Sequence, residues 1–198
     1  MEFMNKVKVD ELKKKFEKNS PFPHLVIDNF LNVEKVAKLA LALKKEEFEE
    51  KDSDLFSFKQ TQDLHYSENK EIKEFVGFLE SQEFSDLVGG MTGIKVESGA
   101  LDLFGSLYEN TSYLLCHDDQ LEDRKIAYII YLGDNFNEDD GGALFLREDN
   151  KGKPGEIAQK YYPKFNSLVM FEVSKKSWHE VEEVIGKKKR YAIGGWLH

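Results

Sequence analysis

Cysteine is scarce in this sequence: Cys116 is the only one in a chain of 198 residues. A single thiol excludes an internal disulfide and a thiolate cluster for zinc or an iron–sulfur centre, and it favours a reducing, intracellular setting. No segment approaches the roughly 18 consecutive apolar residues of a membrane span, and residues 1–20 lack the apolar core of a signal peptide. The sequence therefore predicts a cytoplasmic protein, or a nuclear one if the source is eukaryotic, with no membrane partner.

Basic residues are outnumbered: 28 Lys and Arg stand against 37 Asp and Glu, and the formal net charge is -9. The sequence also has no long basic stripe, which is the usual footprint of a nucleic-acid-binding surface. Direct binding to nucleic acid is therefore not expected. Only three of the basic residues are arginine, so each arginine is a candidate for a role that lysine does not fill.

Helical periodicity characterises the first half of the chain. Four segments have apolar residues at helical spacing, and they predict helices over 1–19, from Asn32 to about 48, around 72–79, and from 84 to a stop at Gly89-Gly90. A short strand is predicted over 24–27, because Pro21 and Pro23 break the first helix. Residues 50–66, with aromatic side chains in a polar context, are predicted to be a loop, either an ordinary surface loop or a lid that contributes to substrate binding.

From residue 101 onward the apolar spacing changes to that of strands. Seven segments fit: 101–107, 112–118, 125–132, 143–147, 166–173, 178–185 and 190–197. A chain of this length fits one domain, and helices followed by seven or eight short strands indicate the α+β class. We therefore predict a single domain over 1–198. Its core is a double-stranded β-helix (a jelly-roll, cupin-like barrel) over 101–198, and the mainly helical residues 1–100 pack on the outer sheet.

Two short motifs suggest a metal site. Residues 116–119 read Cys-His-Asp-Asp, and residues 177–180 read Ser-Trp-His-Glu. On an extended strand His117 and Asp119 point to the same face, and His179, at the end of another apolar strand, can supply a third ligand. Two histidines and one carboxylate leave the opposite coordination positions open, as in non-haem Fe(II) oxygenases. A zinc ion for hydrolysis suits the same ligands, and the His-x-Asp tripeptide also occurs by chance.

Arg190 is a candidate anion ligand beside that metal. Its guanidinium can hold a carboxylate through two parallel hydrogen bonds, and it stays protonated when buried. Strand alternation places Arg190, Ala192 and Gly194 on one face, where the small neighbours leave room for a bound diacid. The alternative is that Arg190 extends the surface cluster of the three lysines before it.

The order of these motifs resembles that of a known family. The segments that carry the resemblance are Pro-Phe-Pro-His-Leu-Val-Ile-Asp-Asn-Phe-Leu at 21–31, Tyr-Glu-Asn-Thr-Ser-Tyr-Leu-Leu-Cys-His-Asp-Asp at 108–119, Ile-Ala-Tyr-Ile-Ile-Tyr-Leu at 126–132, Asp-Gly-Gly-Ala-Leu-Phe-Leu at 140–146, Trp-His-Glu-Val at 178–181 and Arg-Tyr-Ala-Ile-Gly-Gly-Trp at 190–196. Together they resemble the iron- and 2-oxoglutarate-dependent prolyl hydroxylases, and within these the ribosomal prolyl hydroxylases, which modify a small-subunit protein near the decoding centre.

The resemblance implies a role for each site residue. It makes His117, Asp119 and His179 the iron ligands, and it makes Arg190 the partner of the C5 carboxylate of 2-oxoglutarate. Tyr108 and Tyr131 are similar in position to the tyrosines that contact the cosubstrate in that family. Strand period alone does not choose between Tyr131 and Tyr128, whereas the resemblance favours Tyr131.

The resemblance also implies an activity: an Fe(II)- and 2-oxoglutarate-dependent dioxygenase that hydroxylates a prolyl residue of a protein and releases succinate and CO2. The cofactors would be Fe(II), 2-oxoglutarate and O2, with ascorbate left open, and the partner a proline-containing protein such as a ribosomal protein. Two alternatives remain: a non-catalytic jelly-roll binding module, and an oxygenase with a non-prolyl substrate. Eukaryotic ribosomal prolyl hydroxylases carry a second barrel after the catalytic one, so this chain, which stops at His198, fits a single-domain relative or a catalytic fragment.

Overall fold

The computed structural model describes residues 3–121 and 123–198. Over these residues the helices are α1 Val9–Lys18, α2 Val33–Leu43, α3 Lys70–Leu79 and α4 Gln82–Thr92. The strands are β1 His24–Ile27, β2 Glu49–Ser53, β3 Phe56–Asp63, β4 Phe104–Tyr108, β5 Tyr113–His117, β6 Ile126–Tyr131, β7 Leu144–Asp149, β8 Pro154–Tyr161, β9 Leu168–Glu172, β10 His179–Val181 and β11 Arg190–Leu197. The α+β class predicted from the sequence is confirmed.

The strands form one curled antiparallel sheet in the order β1-β9-β6-β11-β4-β3-β5-β10-β7-β8, and β2 pairs with β3 beside this path. Most neighbours in this order are far apart in the sequence, as expected for a sheet that folds back on itself. The curl brings β10 against β5 and β11 against β4. These two pairings position the residues of the site described below.

Strand β6 shows how one sequence pattern builds two cores. Its even-numbered residues, Ile126, Tyr128 and Ile130, join the core that the helices cover. Its odd-numbered residues, Ala127, Ile129 and Tyr131, face the core inside the curl. Successive side chains on a strand point to opposite faces, and both faces of β6 are covered, so its sequence is apolar throughout.

Three predicted helix boundaries differ from the structure: the start of α1, the end of α2 and the end of α4. Helix α1 begins at Val9 because the segment before it is extended, with Met4 in a bridge to Leu31. Helix α2 starts as predicted after Asn32, whose side chain accepts the N–H of Glu34, but it ends at Leu43. The stretch that follows is polar and has no apolar face to bury. The start of α1 and the end of α2 therefore both lie inside the predicted ranges.

Helix α4 continues through the predicted stop at Gly89-Gly90 and ends at Gly93, which has a φ of 75°. Gly90 has a packing role instead, since a Cβ atom built on it would lie 2.9 Å from Cγ1 of Val9 in α1. Glycine permits this close approach of the two helices at some cost in helix propensity. The sequence shows the glycines but not the helix that faces them.

The predicted loop at 50–66 is wrong, because most of it forms the β2–β3 hairpin. Strand β3 also pairs with β4 and β5 in the sheet. Its polar stretch Lys59–Gln62 hides the alternation that marks a strand, although Phe56 and Phe58 face the interior. Strand β8 was also missed: it lies at an edge of the sheet, and its residues are exposed or half-buried.

Transmembrane helices are absent from the described part of the chain, since none of its helices combines the length and the apolar character that a bilayer span requires. This agrees with the lack of long apolar runs in the sequence.

The contact between α1 and α4 generates a prediction about stability. We expect Gly77→Ala, in α3 with nothing within 4 Å of the added Cβ, to raise the free energy of unfolding by about 0.5–1 kcal/mol through helix propensity. Gly90→Ala should lower it, because the new methyl collides with Val9. Urea denaturation of the two variants provides the comparison. An equal gain in both would contradict the close packing, and adding Val9→Ala to Gly90→Ala should recover part of the loss.

Candidate metal centre and anion pocket

A cavity of about 380 Å³ lies inside the curl of the sheet. Its walls include His117, Asp119 and His179 from one group of predicted site residues, and Tyr108 and Arg190 from the other. The residues that line it come from β2 to β7, from β9 to β11 and from the segment after β5. One cavity therefore joins the predicted metal ligands to the predicted anion ligand.

His117, Asp119 and His179 form a cluster whose potential ligand atoms all lie within 4.8 Å of one another. His117 ends β5 and His179 begins β10, and the two are register partners in the antiparallel pairing of these strands. Asp119 lies between them, with one carboxylate oxygen 3.1 Å from Nε2 of His117 and the other 3.2 Å from Nε2 of His179. No other such group occurs within 3–121 and 123–198.

The strand geometry used to predict the pair His117 and Asp119 is wrong, although the structure does bring them together. Asp119 lies beyond β5 and has a φ of 61°, in the left-handed region rather than the extended one. Aspartate adopts this region more readily than most residues because its short polar side chain bonds locally. The carboxylate thus reaches His117 through a turn of the backbone, not by strand alternation.

Both imidazole rings are oriented by backbone carbonyls. Nδ1 of His117 donates to the carbonyl of Leu115 at 2.9 Å, and Nδ1 of His179 donates to that of Ser177 at 2.7 Å. A carbonyl only accepts, so the proton of each neutral ring is on Nδ1 and the lone pair is on Nε2, the atom that faces Asp119. Hydrogen bonds of this kind fix the tautomer and direction of metal-binding histidines.

The charges of the cluster also suit a cation. Burial alone would raise the pKa of Asp119, but His179 and His117 hold the pKa of this carboxyl far below its usual value. Burial lowers the pKa of His117, yet the hydrogen bond and charge of Asp119 outweigh it, so the net shift is upward. Asp119 is therefore ionised and draws positive charge to this point. Two imidazole nitrogens and a carboxylate fit a divalent first-row metal.

Arg190 is buried, with 2% of its surface exposed, yet it has no acidic partner among the described residues. Its Nη2 donates to the hydroxyl of Tyr131 at 3.2 Å, and its Nε has no hydrogen-bond partner. An unpaired buried charge carries a desolvation penalty on the order of several kcal/mol. Such a guanidinium fits a carboxylate ligand that compensates its charge, so Arg190 does not extend the surface lysine cluster.

The two predicted tyrosines adjoin Arg190. Tyr108 is its register partner between β4 and β11, and the guanidinium carbon lies 4.7 Å from the ring centroid of Tyr108 and 5.0 Å from that of Tyr131. Burial raises the pKa of Tyr108, so its hydroxyl stays protonated. Tyr128 lies on the opposite face, where its hydroxyl donates to the carbonyl of Asp102. The structure thus places Tyr131, not Tyr128, at Arg190.

Several residues of the cavity were not predicted. Phe58 in β3 stacks on Tyr108, with ring centroids 4.8 Å apart and planes 4° apart. Trp196 is half-buried and lines the cavity, and the guanidinium carbon of Arg124 lies 3.4 Å from its ring centroid. Phe58 was hidden by the mistaken loop. The scarcity of arginine was the available signal for Arg124.

The remaining histidines, His24, His65 and His198, lie outside the metal-ligand cluster. Trp178, which precedes His179, is half-buried, and its indole N–H donates to Asp149 at 3.2 Å.

Comparison with known proteins places this geometry in a family context. Residues 103–198 match the model of the 2OG-Fe(II) oxygenase superfamily. The chain is 39% identical over 181 residues to the prolyl 3-hydroxylase OGFOD1 of Xenopus laevis, covering 90% of this chain and 35% of that protein. It is 38% identical over 184 residues to the mouse prolyl 3-hydroxylase OGFOD1, covering 90% and 33%. The chain therefore spans about a third of the length of these relatives.

The fold has solved counterparts. A prolyl-4-hydroxylase of Pseudomonas putida superposes with a TM-score of 0.74 at 17% identity, covering 94% of this chain and 98% of that one. At this identity the likeness concerns the fold alone. The predicted double-stranded β-helix, with helices packed on it, is confirmed.

The cluster geometry predicts that Asp119 is needed to bind a metal. Titration of the metal-free protein with Mn(II), followed by the paramagnetic signal of the free ion, should show one saturable site. Asp119→Ala should weaken it on the order of a hundredfold or more, since losing an outer-shell partner alone typically costs ten- to a hundredfold.

Asp63→Ala is the matched control for this titration. Asp63 is also an aspartate beside a histidine, His65, but it lies outside the cluster, so the variant should bind Mn(II) like the wild type. Equal affinity in the Asp119 variant and the wild type would contradict the assignment.

Proposed function

We propose that this protein, whose residues 103–198 match the model of the 2OG-Fe(II) oxygenase superfamily, is an Fe(II)- and 2-oxoglutarate-dependent dioxygenase that hydroxylates a prolyl residue of a protein. One observation carries the proposal: a single cavity is lined by a two-histidine, one-carboxylate cluster and by a buried guanidinium without an acid. The cluster alone fits several metal enzymes. The buried guanidinium indicates that a carboxylate binds as well, and a zinc site for hydrolysis does not require such a ligand.

In this proposal His117, Asp119 and His179 hold Fe(II), and they leave the positions opposite to them open. Bound Fe(II), 2-oxoglutarate and O2 supply the oxidation that inserts oxygen into a C–H bond of the substrate and leaves succinate and CO2. The backbone carbonyls that accept from the two histidines would keep both Nε2 atoms directed at the metal. The protein itself thus contributes ligand orientation.

Arg190 binds the distal carboxylate of 2-oxoglutarate through charge-assisted hydrogen bonds. Tyr131 accepts one N–H of this guanidinium and so fixes its plane, while Nε remains available. Tyr108, held against Phe58, closes one wall of the pocket with an aromatic face. These walls exclude water from the cosubstrate, and exclusion of water strengthens each polar contact inside.

The substrate class follows from the relatives. The frog and mouse proteins are named prolyl 3-hydroxylases, which supports a prolyl residue, and its carbon 3, as the target. A small-subunit ribosomal protein is our proposed substrate, since the sequence resembles the ribosomal prolyl hydroxylases. The aromatic and basic residues Phe56, Arg124 and Trp196 line the cavity as well and are available to contact it. A cytoplasmic or nuclear setting is part of the same proposal.

The role of Arg190 predicts opposite effects on binding and on stability. Arg190→Met should weaken 2-oxoglutarate binding about tenfold to a hundredfold, because hydrogen bonds to charged groups contribute about 1.5–3 kcal/mol. Without 2-oxoglutarate the same variant should unfold at no lower urea concentration than the wild type, since it removes an unpaired buried charge. Mn(II) affinity is the internal control and should not change. A variant that is destabilised and still binds 2-oxoglutarate normally would contradict this role.

The activity itself is tested with the purified protein, Fe(II), 2-oxoglutarate, ascorbate and small-subunit ribosomal proteins. We expect peptide mass spectrometry to find one added oxygen on a proline, with succinate formed in step. Asp119→Ala should abolish both products, and Asp63→Ala should retain them. An added oxygen on another residue type would show that the enzyme is an oxygenase with a non-prolyl substrate. Binding of the ribosomal protein without succinate, in the wild type and in Asp119→Ala alike, would instead identify a non-catalytic binding module.

A further inference from the structure

The cluster draws its ligands from two segments of the chain that are joined by little backbone pairing. His117 and Asp119 belong to β5 and the residues after it, whereas His179 belongs to β10, which has only three residues. The ladder between these strands pairs His179 with His117 and shifts register before its next pair, Val181 with Leu114. Asp119 lies beyond the ladder in a left-handed conformation. Its backbone therefore needs another support.

The side chain of Ser177 provides a bond between the two segments. Its hydroxyl lies 2.9 Å from the carbonyl oxygen of Asp118, to which it can donate. This carbonyl belongs to the planar peptide unit that enters Asp119, so holding it limits the orientation of the ligand that follows. Within the turn, Oδ1 of Asp118 accepts the N–H of Gln120 at 3.1 Å. The bond from Nη1 of Arg124 to the Asp119 carbonyl is long at 3.5 Å.

Ser177 also acts on the third ligand, because its backbone carbonyl accepts Nδ1–H of His179 at 2.7 Å. The hydroxyl is itself anchored: it accepts the N–H of Ser174 at 2.9 Å, and its single proton is shared between the Asp118 carbonyl and the Ser174 carbonyl, which lies 2.7 Å away. Ser177 is fully buried, so water does not replace these bonds. One residue thus contacts the peptide of Asp119 and the ring of His179 at the same time.

We propose that Ser177 is a positioning residue of the metal site, whose hydroxyl fixes the peptide of Asp119 relative to His179. The inference rests on the proposed function, since it presumes that the cluster holds a metal. Loss of the hydroxyl leaves the Asp118 carbonyl without this partner and frees the turn that carries Asp119. All three ligand side chains remain present, so the expected defect is weaker metal binding rather than none.

The test compares Ser177→Ala with Ser174→Ala in the full chain. Ser174 belongs to the same turn, and its own hydroxyl accepts only the N–H of the exposed Lys176, so its loss does not reach Asp118. In Mn(II) titrations of the metal-free proteins we expect Ser177→Ala to raise the dissociation constant about tenfold or more, and Ser174→Ala to match the wild type. The rise in unfolding temperature that Mn(II) produces should shrink in the Ser177 variant alone.

A second variant separates positioning from general stability. Ser177→Thr keeps the hydroxyl but adds a methyl group to a buried site, so it should lower the unfolding temperature of the metal-free protein while its Mn(II) affinity stays near the wild type. Equal Mn(II) affinity in Ser177→Ala and Ser174→Ala, or equal loss in the Ala and Thr variants, overturns the assignment. A wild-type protein that binds no Mn(II) contradicts the proposed function itself, and the role of Ser177 falls with it.

Discussion

The antiparallel pairing of β10 with β5 is the contact on which the site depends. It places His179 opposite His117, although the two lie far apart in the sequence, and the turn after β5 brings the carboxylate of Asp119 to both rings. A second pairing, of β11 with β4, places Arg190 opposite Tyr108 in the same way. Both pairings exist because the sheet curls and closes a cavity between its halves. The proposed metal ligands and the proposed anion ligand are therefore brought together by one topology rather than by one local motif.

The charges inside the curl explain what the cavity can bind. Asp119 is ionised between two imidazoles that lower its pKa, and Arg190 is buried with no acid beside it among the described residues, so the first group suits a cation and the second suits an anion. A metal cation satisfies the first group, and a carboxylate satisfies the second. In the proposed function 2-oxoglutarate would meet both requirements, since His117, Asp119 and His179 would hold the metal to which it binds and Arg190 would bind its distal carboxylate. Without a ligand the buried charge of Arg190 lowers the stability of the interior, as is common at functional sites.

The sequence predicted the elements whose apolar pattern is strong. Strands such as β6 and β11, buried on both faces, and helix α3, with a clear apolar side, lie close to their predicted positions. Strand β3 was not predicted because its polar residues mask its two half-buried phenylalanines. Helix α4 was predicted too short because Gly90 serves a helix contact that no local pattern shows. At the site, the residue types were readable in advance. The left-handed turn at Asp119, the support from Ser177 and the exposure of Trp196 to the cavity depend on tertiary contacts, which spacing does not encode.

The central claim is that one cavity binds Fe(II) and 2-oxoglutarate together. Anaerobic titration of the Fe(II)-loaded protein with 2-oxoglutarate, followed by visible absorption, tests it most directly. The weak charge-transfer band appears only when 2-oxoglutarate chelates the Fe(II) ion. The account predicts a band that saturates at one equivalent of 2-oxoglutarate per chain and is absent in Asp119→Ala. No band in the wild-type protein, or a band of equal strength in the variant, would contradict it.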